Sequence, residues 1–280
     1  MAVDTSGALN ILNWLIVLYL IVQPILKQRM LVAGRLSVTC EIEKKRGSRL
    51  ISLIHRKEVV NFLGFPLVQY LDIQDSEAIL RAIRLTPDDM PIDLIIHTPA
   101  GLNLSAEQIA RALLRHKAKV TVFVPHYALS GGTLLALAAD ELVMCPDAIL
   151  GALDPTINQY PAASVLSVAT QKSPELMSDD TFILVDQAHK AIKQMKQVVT
   201  LLLKKNLDQE TAGKLAAILT NGNLTQDYPI SVDEARDMGL AVSDDIPVEI
   251  YQYMNLFPQA TQQRPTVDYI ALPYPDRTEK

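Results

Sequence analysis

The chain is poor in the residues on which several common kinds of chemistry depend. It has two cysteines in 280 residues, Cys40 and Cys145. They stand far apart in apolar runs, which argues against a disulfide framework and predicts two buried, reduced thiols. The five histidines and two cysteines fall at no ligand spacing, so no metal site is read. No Gly-x-Gly-x-x-Gly follows a strand-like run, so a dinucleotide site is not expected, nor any other cofactor. Basic residues are outnumbered, 26 against 31 acidic ones, and the net charge of −5 argues against a general nucleic-acid partner. Internal repeats and low-complexity segments are absent.

What is present is apolar: 49% of the chain, with 20% charged, enough for a well-cored globular protein of one large domain or two small ones. The apolar content is uneven. Leu9 to Leu26 carries no charge, and roughly 18 residues of helix span about 27 Å, close to the hydrocarbon thickness of a bilayer. Trp14 and Tyr19 suit interfacial anchoring. The start lacks the basic residues of a cleaved signal peptide, so an uncleaved membrane anchor is expected. Gln23-Pro24 leaves an amphipathic or oligomerising helix as the alternative. Lys27, Arg29, Arg35, Lys44, Lys45, Arg46 and Arg49 all follow this run and none precedes it, which places the bulk of the chain on the cytoplasmic side.

Beyond the anchor, short β-branched runs alternate with helical patterns. Ser37–Ile42, Leu50–His55 and Leu67–Ile73 read as strands, Ser76–Arg84 as a helix, and Ile92–Ile96 as a strand ending in His97-Thr98-Pro99-Ala100-Gly101. Ser105 reads as the cap of a helix carrying Ile109, Ala110, Leu113 and Leu114. Val120–Val124 is a buried strand, and an alanine- and leucine-rich helix runs to Asp140, followed by a strand at Leu142–Cys145. Asp154–Pro161 reads as a polar loop, Ala162–Thr170 as a short helix, and Thr181–Lys205 as a long helix with an apolar stripe through Val185, Ala188, Ile192, Met195, Val199 and Leu202. The alternation is that of a layered α/β fold.

Between the strand Val120–Val124 and the following helix lies His126-Tyr127-Ala128-Leu129-Ser130-Gly131-Gly132. A serine at a strand-to-helix turn followed by two glycines is well placed for a nucleophile, because the first backbone N–H groups after it have no partner and can stabilise an oxyanion. A serine hydroxyl is a weak nucleophile and needs a base.

Several blocks now align. They are Ser52-Leu53-Ile54-His55-Arg56, His97 to Gly101, Val124 to Thr133, Ala138-Ala139-Asp140-Glu141, Leu150-Gly151-Ala152-Leu153-Asp154-Pro155 and Asp227-Tyr228-Pro229-Ile230. In this order they resemble the serine dehydrogenase proteinase family, a membrane-anchored branch of the Clp-protease and crotonase superfamily related to signal peptide peptidase A. The chain departs from the family pattern at Ala100, where a glycine is usual, at Leu129 before the serine, and at Ala152-Leu153.

The resemblance implies an α/β fold of the layered β-β-α Clp/crotonase type, with an anchor at 1–30, a catalytic domain at 31–260 and an extended tail at 261–280. It implies a serine peptidase acting on polypeptides, a homo-oligomer, and Ser130 as nucleophile, with backbone N–H groups of Ala100 or Gly101 and of Gly131 in the oxyanion hole. A Clp-type histidine is missing, since Ala148–Pro155 contains none. A Ser-Lys dyad of the signal peptide peptidase A kind points to Lys172, with Lys190 as the second candidate. Such a lysine must be neutral, which burial favours. His97 and His126 are structural or substrate-orienting candidates, and Asp154 is either a third catalytic member or a turn and cap residue. The alternative to an enzyme is an inactive scaffold of the same fold that organises a membrane complex. A crotonase-type acyl-CoA enzyme would need a large polar pocket.

Overall fold

The computed structural model describes residues 5–55, 60–62, 65–67, 73–99, 103–225 and 227–257; within the first helix, side chains are described at Trp14, Tyr19, Val22, Gln23 and from Ile25 onward. The chain opens on helix α1 (Thr5–Arg46), then strand β1 (Arg49–Ile54), the hairpin β2 (Val60–Phe62) and β3 (Phe65–Leu67), and helix α2 (Ile73–Leu85). Next come β4 (Ile92–His97), α3 (Asn103–Arg115), β5 (Val120–Val124), β6 (Tyr127–Ala128), α4 (Gly131–Leu137), β7 (Glu141–Met144) and β8 (Ile149–Leu150). The hairpin β9 (Thr156–Ile157) and β10 (Tyr160–Pro161) leads into α5 (Ala162–Gln171), α6 (Asp179–Leu203), α7 (Gln209–Thr220) and α8 (Val232–Asp237). An edge strand β11 (Val242–Ser243) and α9 (Val248–Asn255) close the described part.

The main sheet is five-stranded and parallel, in the order β1-β4-β5-β7-β11. Both faces are covered, as parallel strands require, and the side chains alternate between two cores. Leu94, Ile96, Val122, Val124, Leu142 and Met144 face a layer built from α2, α3, α4, α6 and α7. Ile95, Phe123 and Val143 face the other way, against Ile42 of α1 and Ile250, Tyr253 and Met254 of α9. Past the ends of β4, β5 and β7 lies a second small layer. There β6 pairs in parallel with β8, Thr98 bridges to Ala128, and Leu150 bridges to Ile230. This mixed α/β architecture agrees with a Clp-like fold.

The last turns of α1 are fixed to the domain. Arg35 Nε donates to the Leu256 carbonyl at 3.0 Å and its guanidinium lies 3.9 Å from the Phe257 ring centroid. Lys45 pairs with Glu249. Arg46 pairs with Asp93, a fully buried carboxylate on β4 that also accepts from Ser48 Oγ at 2.6 Å. Further toward the N-terminus, Val22, Ile25, Leu26, Met30 and Val32 are exposed. Among the described residues no helix is long and apolar enough to cross a membrane. Most side chains of the Leu9–Leu26 run lie outside the described residues, as does the tail at 261–280.

Several local expectations are corrected. Ser37–Ile42 is not a strand but the end of α1, which stops at Gly47 (φ 64°), whose N–H donates to the Glu43 carbonyl at 2.8 Å. Of Leu67–Ile73, read as a strand, only the two ends lie among the described residues: β3 ends at Leu67 and α2 begins at Ile73. Ser105 is not a cap but a buried residue inside the first turn of α3. Cys40 is exposed on α1; Cys145 is half-buried and accepts from the Tyr251 hydroxyl at 3.1 Å. The predicted polar loop at Asp154–Pro161 contains the β9–β10 hairpin, whose two turn residues, Asn158 (φ 48°) and Gln159 (φ 71°), are both left-handed. That is the twist a tight hairpin needs, supplied without glycine.

Candidate active site

The C-terminal ends of parallel strands are where open α/β sheets bind ligands. Here three of them converge. After β1, the His55 N–H donates to the His97 carbonyl at 2.7 Å, and His55 Nδ1 lies 3.0 Å from Thr98 Oγ1. After β4, the Thr98 N–H donates to the Tyr127 carbonyl at 3.2 Å, and in return the Leu129 N–H donates to the Thr98 carbonyl at 3.0 Å. The Thr98 turn and the serine turn are thus laid side by side by backbone hydrogen bonds.

Ser130 sits at the tip, between β6 and α4, with φ 52° and ψ −117°. A side-chain-bearing residue rarely adopts this backbone, which costs about 1–3 kcal/mol and persists only where surrounding structure enforces it. The enforcement is visible. The Gly132 N–H donates to the Leu129 carbonyl at 2.9 Å, and the Ser130 carbonyl accepts from Thr133 (2.9 Å) and Leu134 (3.3 Å). Thr133 Oγ1 is buried 2.8 Å from the Ala128 carbonyl and 2.9 Å from the Gly151 carbonyl, and accepts from the Gly151 N–H at 3.2 Å. That hydroxyl ties the serine turn to the segment after β8. Gly132 is required by close approach: a Cβ there would lie 2.6 Å from Thr98 Cγ2 and 3.2 Å from Ala128 Cβ.

The result is a half-exposed serine on a strained strand-to-helix turn. Among the described residues, its hydroxyl makes no hydrogen bond, and neither does the adjacent Gly131 N–H. Ala100 and Gly101, expected to supply the second oxyanion donor, lie outside the described residues. Thr98, shortly before them, is hydrogen-bonded to Tyr127 and Leu129 of the serine turn.

The other candidates are scattered around this centre. His97 is buried, with its ring centroid 4.1 Å from that of Tyr127 and 5.4 Å from that of His126, which is exposed. With His55 they place three imidazoles along one edge of the site. His55 carried a sequence signal only as part of its motif block, and its role beside Thr98 emerges from the pairing of β1 with β4. Asp154 follows β8 and stands near the start of α5, where the backbone of Ala163 favours its ionised form. Its Oδ1 is buried with no hydrogen-bond partner among the described residues, and burial raises its pKa above the ordinary carboxylate value. Lys172 is exposed at the end of α5 in extended conformation. Lys190 is exposed on α6 and pairs with Asp186 of the same helix at 2.5 Å. The structure therefore joins Ser130, Gly131 and the His97–Pro99 turn, and leaves both lysines without a hydrogen bond to the serine.

Chemically, the arrangement presents an unpaired hydroxyl beside an unpaired backbone donor, as acyl transfer requires. Among the described residues no cluster of side chains could hold a metal ion.

Comparison with known proteins places the chain in a family. The uncharacterized protein MJ1495 of Methanocaldococcus jannaschii is 48% identical over 271 residues, covering 97% of this chain and 92% of its own length. A second uncharacterized protein of that organism, MJ0137, is 47% identical over 270 residues, covering 96% of this chain and 94% of its own. The family described as ClpP-like SDH-type serine proteinase matches residues 1–280. The chain, with its strained serine at the end of a parallel sheet, belongs to the ClpP-like SDH-type serine proteinase family.

Proposed function

We propose that this protein is a membrane-anchored serine peptidase that hydrolyses polypeptides with Ser130 as nucleophile. The observation that carries the reading is the backbone of Ser130, held at φ 52° and ψ −117° with its hydroxyl unengaged and the Gly131 N–H beside it. Ser130 Oγ attacks the scissile carbonyl carbon and its proton passes to a neutral base. The Gly131 N–H, together with a backbone N–H of Ala100 or Gly101, stabilises the tetrahedral oxyanion. The base returns the proton to the leaving amine, and water hydrolyses the acyl-enzyme.

The base in this reading is Lys172. A lysine becomes a base when burial favours its neutral form, and Lys172 is exposed in the single chain. We therefore place the active form in a homo-oligomer, where a second copy or the substrate covers it. Lys190 is the weaker candidate, because it is exposed on α6 and its amine is already engaged by Asp186 of the same helix. The apolar run Leu9–Leu26 on α1 is the proposed anchor, with the domain on the cytoplasmic side.

One observation favours a second reading, an inactive scaffold: no described residue hydrogen-bonds the Ser130 hydroxyl. Hydrolysis of an unfolded protein by the membrane-reconstituted full chain separates the two. The peptidase reading expects Ser130→Ala to abolish turnover. Equal turnover by wild type and Ser130→Ala would reject it, and no turnover by either would favour the scaffold.

A further inference from the structure

Away from the serine turn, α3 and α6 run side by side and leave an open groove of about 790 Å³ between them. Among the described residues its lining includes Arg111 of α3, Lys193 and Lys196 of α6, Lys204 just past the end of α6, and one carboxylate, Glu107. Glu107 is engaged by Arg111 at 2.8 Å. The three lysines are exposed, and among the described residues none has an ion-pair partner. The groove thus carries a net positive charge on a chain whose total is −5. Its floor is partly apolar, with Leu201 38% exposed between the lysines.

We propose that this groove is a docking site for an acidic segment of a polypeptide partner. Charge complementarity sets the sign of the ligand. Lys193 and Lys204 lie eleven positions apart along α6 and its C-terminal cap, which places them about 16 Å from each other along the axis. A single phosphate cannot span that distance, whereas about five residues of extended peptide can. The lysines are compact point charges that suit successive carboxylates, and Leu201 with the lysine stems receives the apolar side chains between them. Among the described residues no aromatic side chain lines the groove to stack a base, and the net charge of the whole chain opposes a long nucleic acid.

The test is a fluorescence-anisotropy titration of the full chain with a labelled decapeptide of alternating glutamate and leucine. Ser130→Ala serves as the background, so the result is independent of peptidase activity. Binding should weaken as salt rises, and the triple variant Lys193→Glu, Lys196→Glu, Lys204→Glu should lose at least about tenfold in affinity. Lys117→Glu, which alters a remote lysine paired with Asp88, should leave affinity unchanged. Should the triple charge reversal disturb folding, seen as a shifted thermal melt, the neutral pair Lys193→Gln, Lys204→Gln replaces it with the same expected direction. Three kinds of result would overturn the proposal. One is equal binding by the groove variants. Another is equal binding of a glutamine–leucine analogue, or displacement by an oligonucleotide of the same charge at no higher concentration. The third is no peptide binding together with a change in oligomeric state in the triple variant, which would make the groove an interface between copies of this chain.

Discussion

Gly132 shows how a single residue holds the serine turn. Gly132 permits the Thr98 and Ser130 turns to touch, since any Cβ would meet Thr98 Cγ2 at 2.6 Å. Gly132→Ala should cost about 1–3 kcal/mol of stability, the usual penalty of overpacking, and remove most of the activity. Adding Thr98→Ser, which deletes the clashing methyl, should recover much of both in denaturation and turnover assays. Asp154 works against stability. Its partly buried carboxyl has a raised pKa because burial disfavours the charge, although the Ala163 N–H pulls the other way. The folded chain then holds this proton more tightly than the unfolded chain. The ionised group costs stability once pH rises above the ordinary carboxylate range, and the cost vanishes where both states are protonated. Asp154→Asn should therefore melt at a higher temperature than wild type at pH 7, with the gain disappearing near pH about 3.

At the scale of elements, the joint between α1 and the sheet decides how the N-terminal segment is carried. Asp93 is buried near the start of β4, and its charge is met by Arg46 and Ser48 from the end of α1 and the turn after it. Removing one partner of such a pair leaves an uncompensated buried charge. Arg46→Ala should cost about 3 kcal/mol in chemical denaturation, and the pair Arg46→Met, Asp93→Asn should recover most of it. The elements around the site were legible because their signals are local and consistent. Val120–Val124 is β-branched, and Ser130-Gly131-Gly132 marks the turn. Asp208 and Ser231 accept from the first-turn N–H groups of α7 and α8. The end of α1 was misread because Val38, Cys40 and Ile42 alternate, yet Gly34, Val38 and Ile42 also fit helical spacing. Packing against α9 decides between the two periods. The clue that resolves it is Lys44-Lys45-Arg46-Gly47, basic residues in a last turn followed by a left-handed glycine. The site itself was half legible. The serine turn and its partner at His97–Pro99 stand in the sequence as motifs, whereas a base is defined by tertiary distance and desolvation, which no spacing encodes.

The whole molecule pairs a long N-terminal helix with a two-faced α/β domain. The fixed end of α1 and α9 cover one face of the sheet, and α2, α3, α4, α6 and α7 cover the other. If Leu9–Leu26 anchors the protein, the full chain should remain with membranes through a high-salt wash, while a chain lacking residues 1–30 should be released and still fold, because the packing of α1 begins near Gly34. Retention of the shortened chain would assign membrane attachment to the domain instead. The central claim concerns Ser130. The most direct measurement is mass-spectrometric mapping of the adduct formed when the membrane-reconstituted full chain meets a phosphonate that traps nucleophilic serines. The account predicts a single modification on the peptide containing Ser130, lost in Ser130→Ala; an adduct elsewhere, or equal modification of wild type and Ser130→Ala, would contradict it.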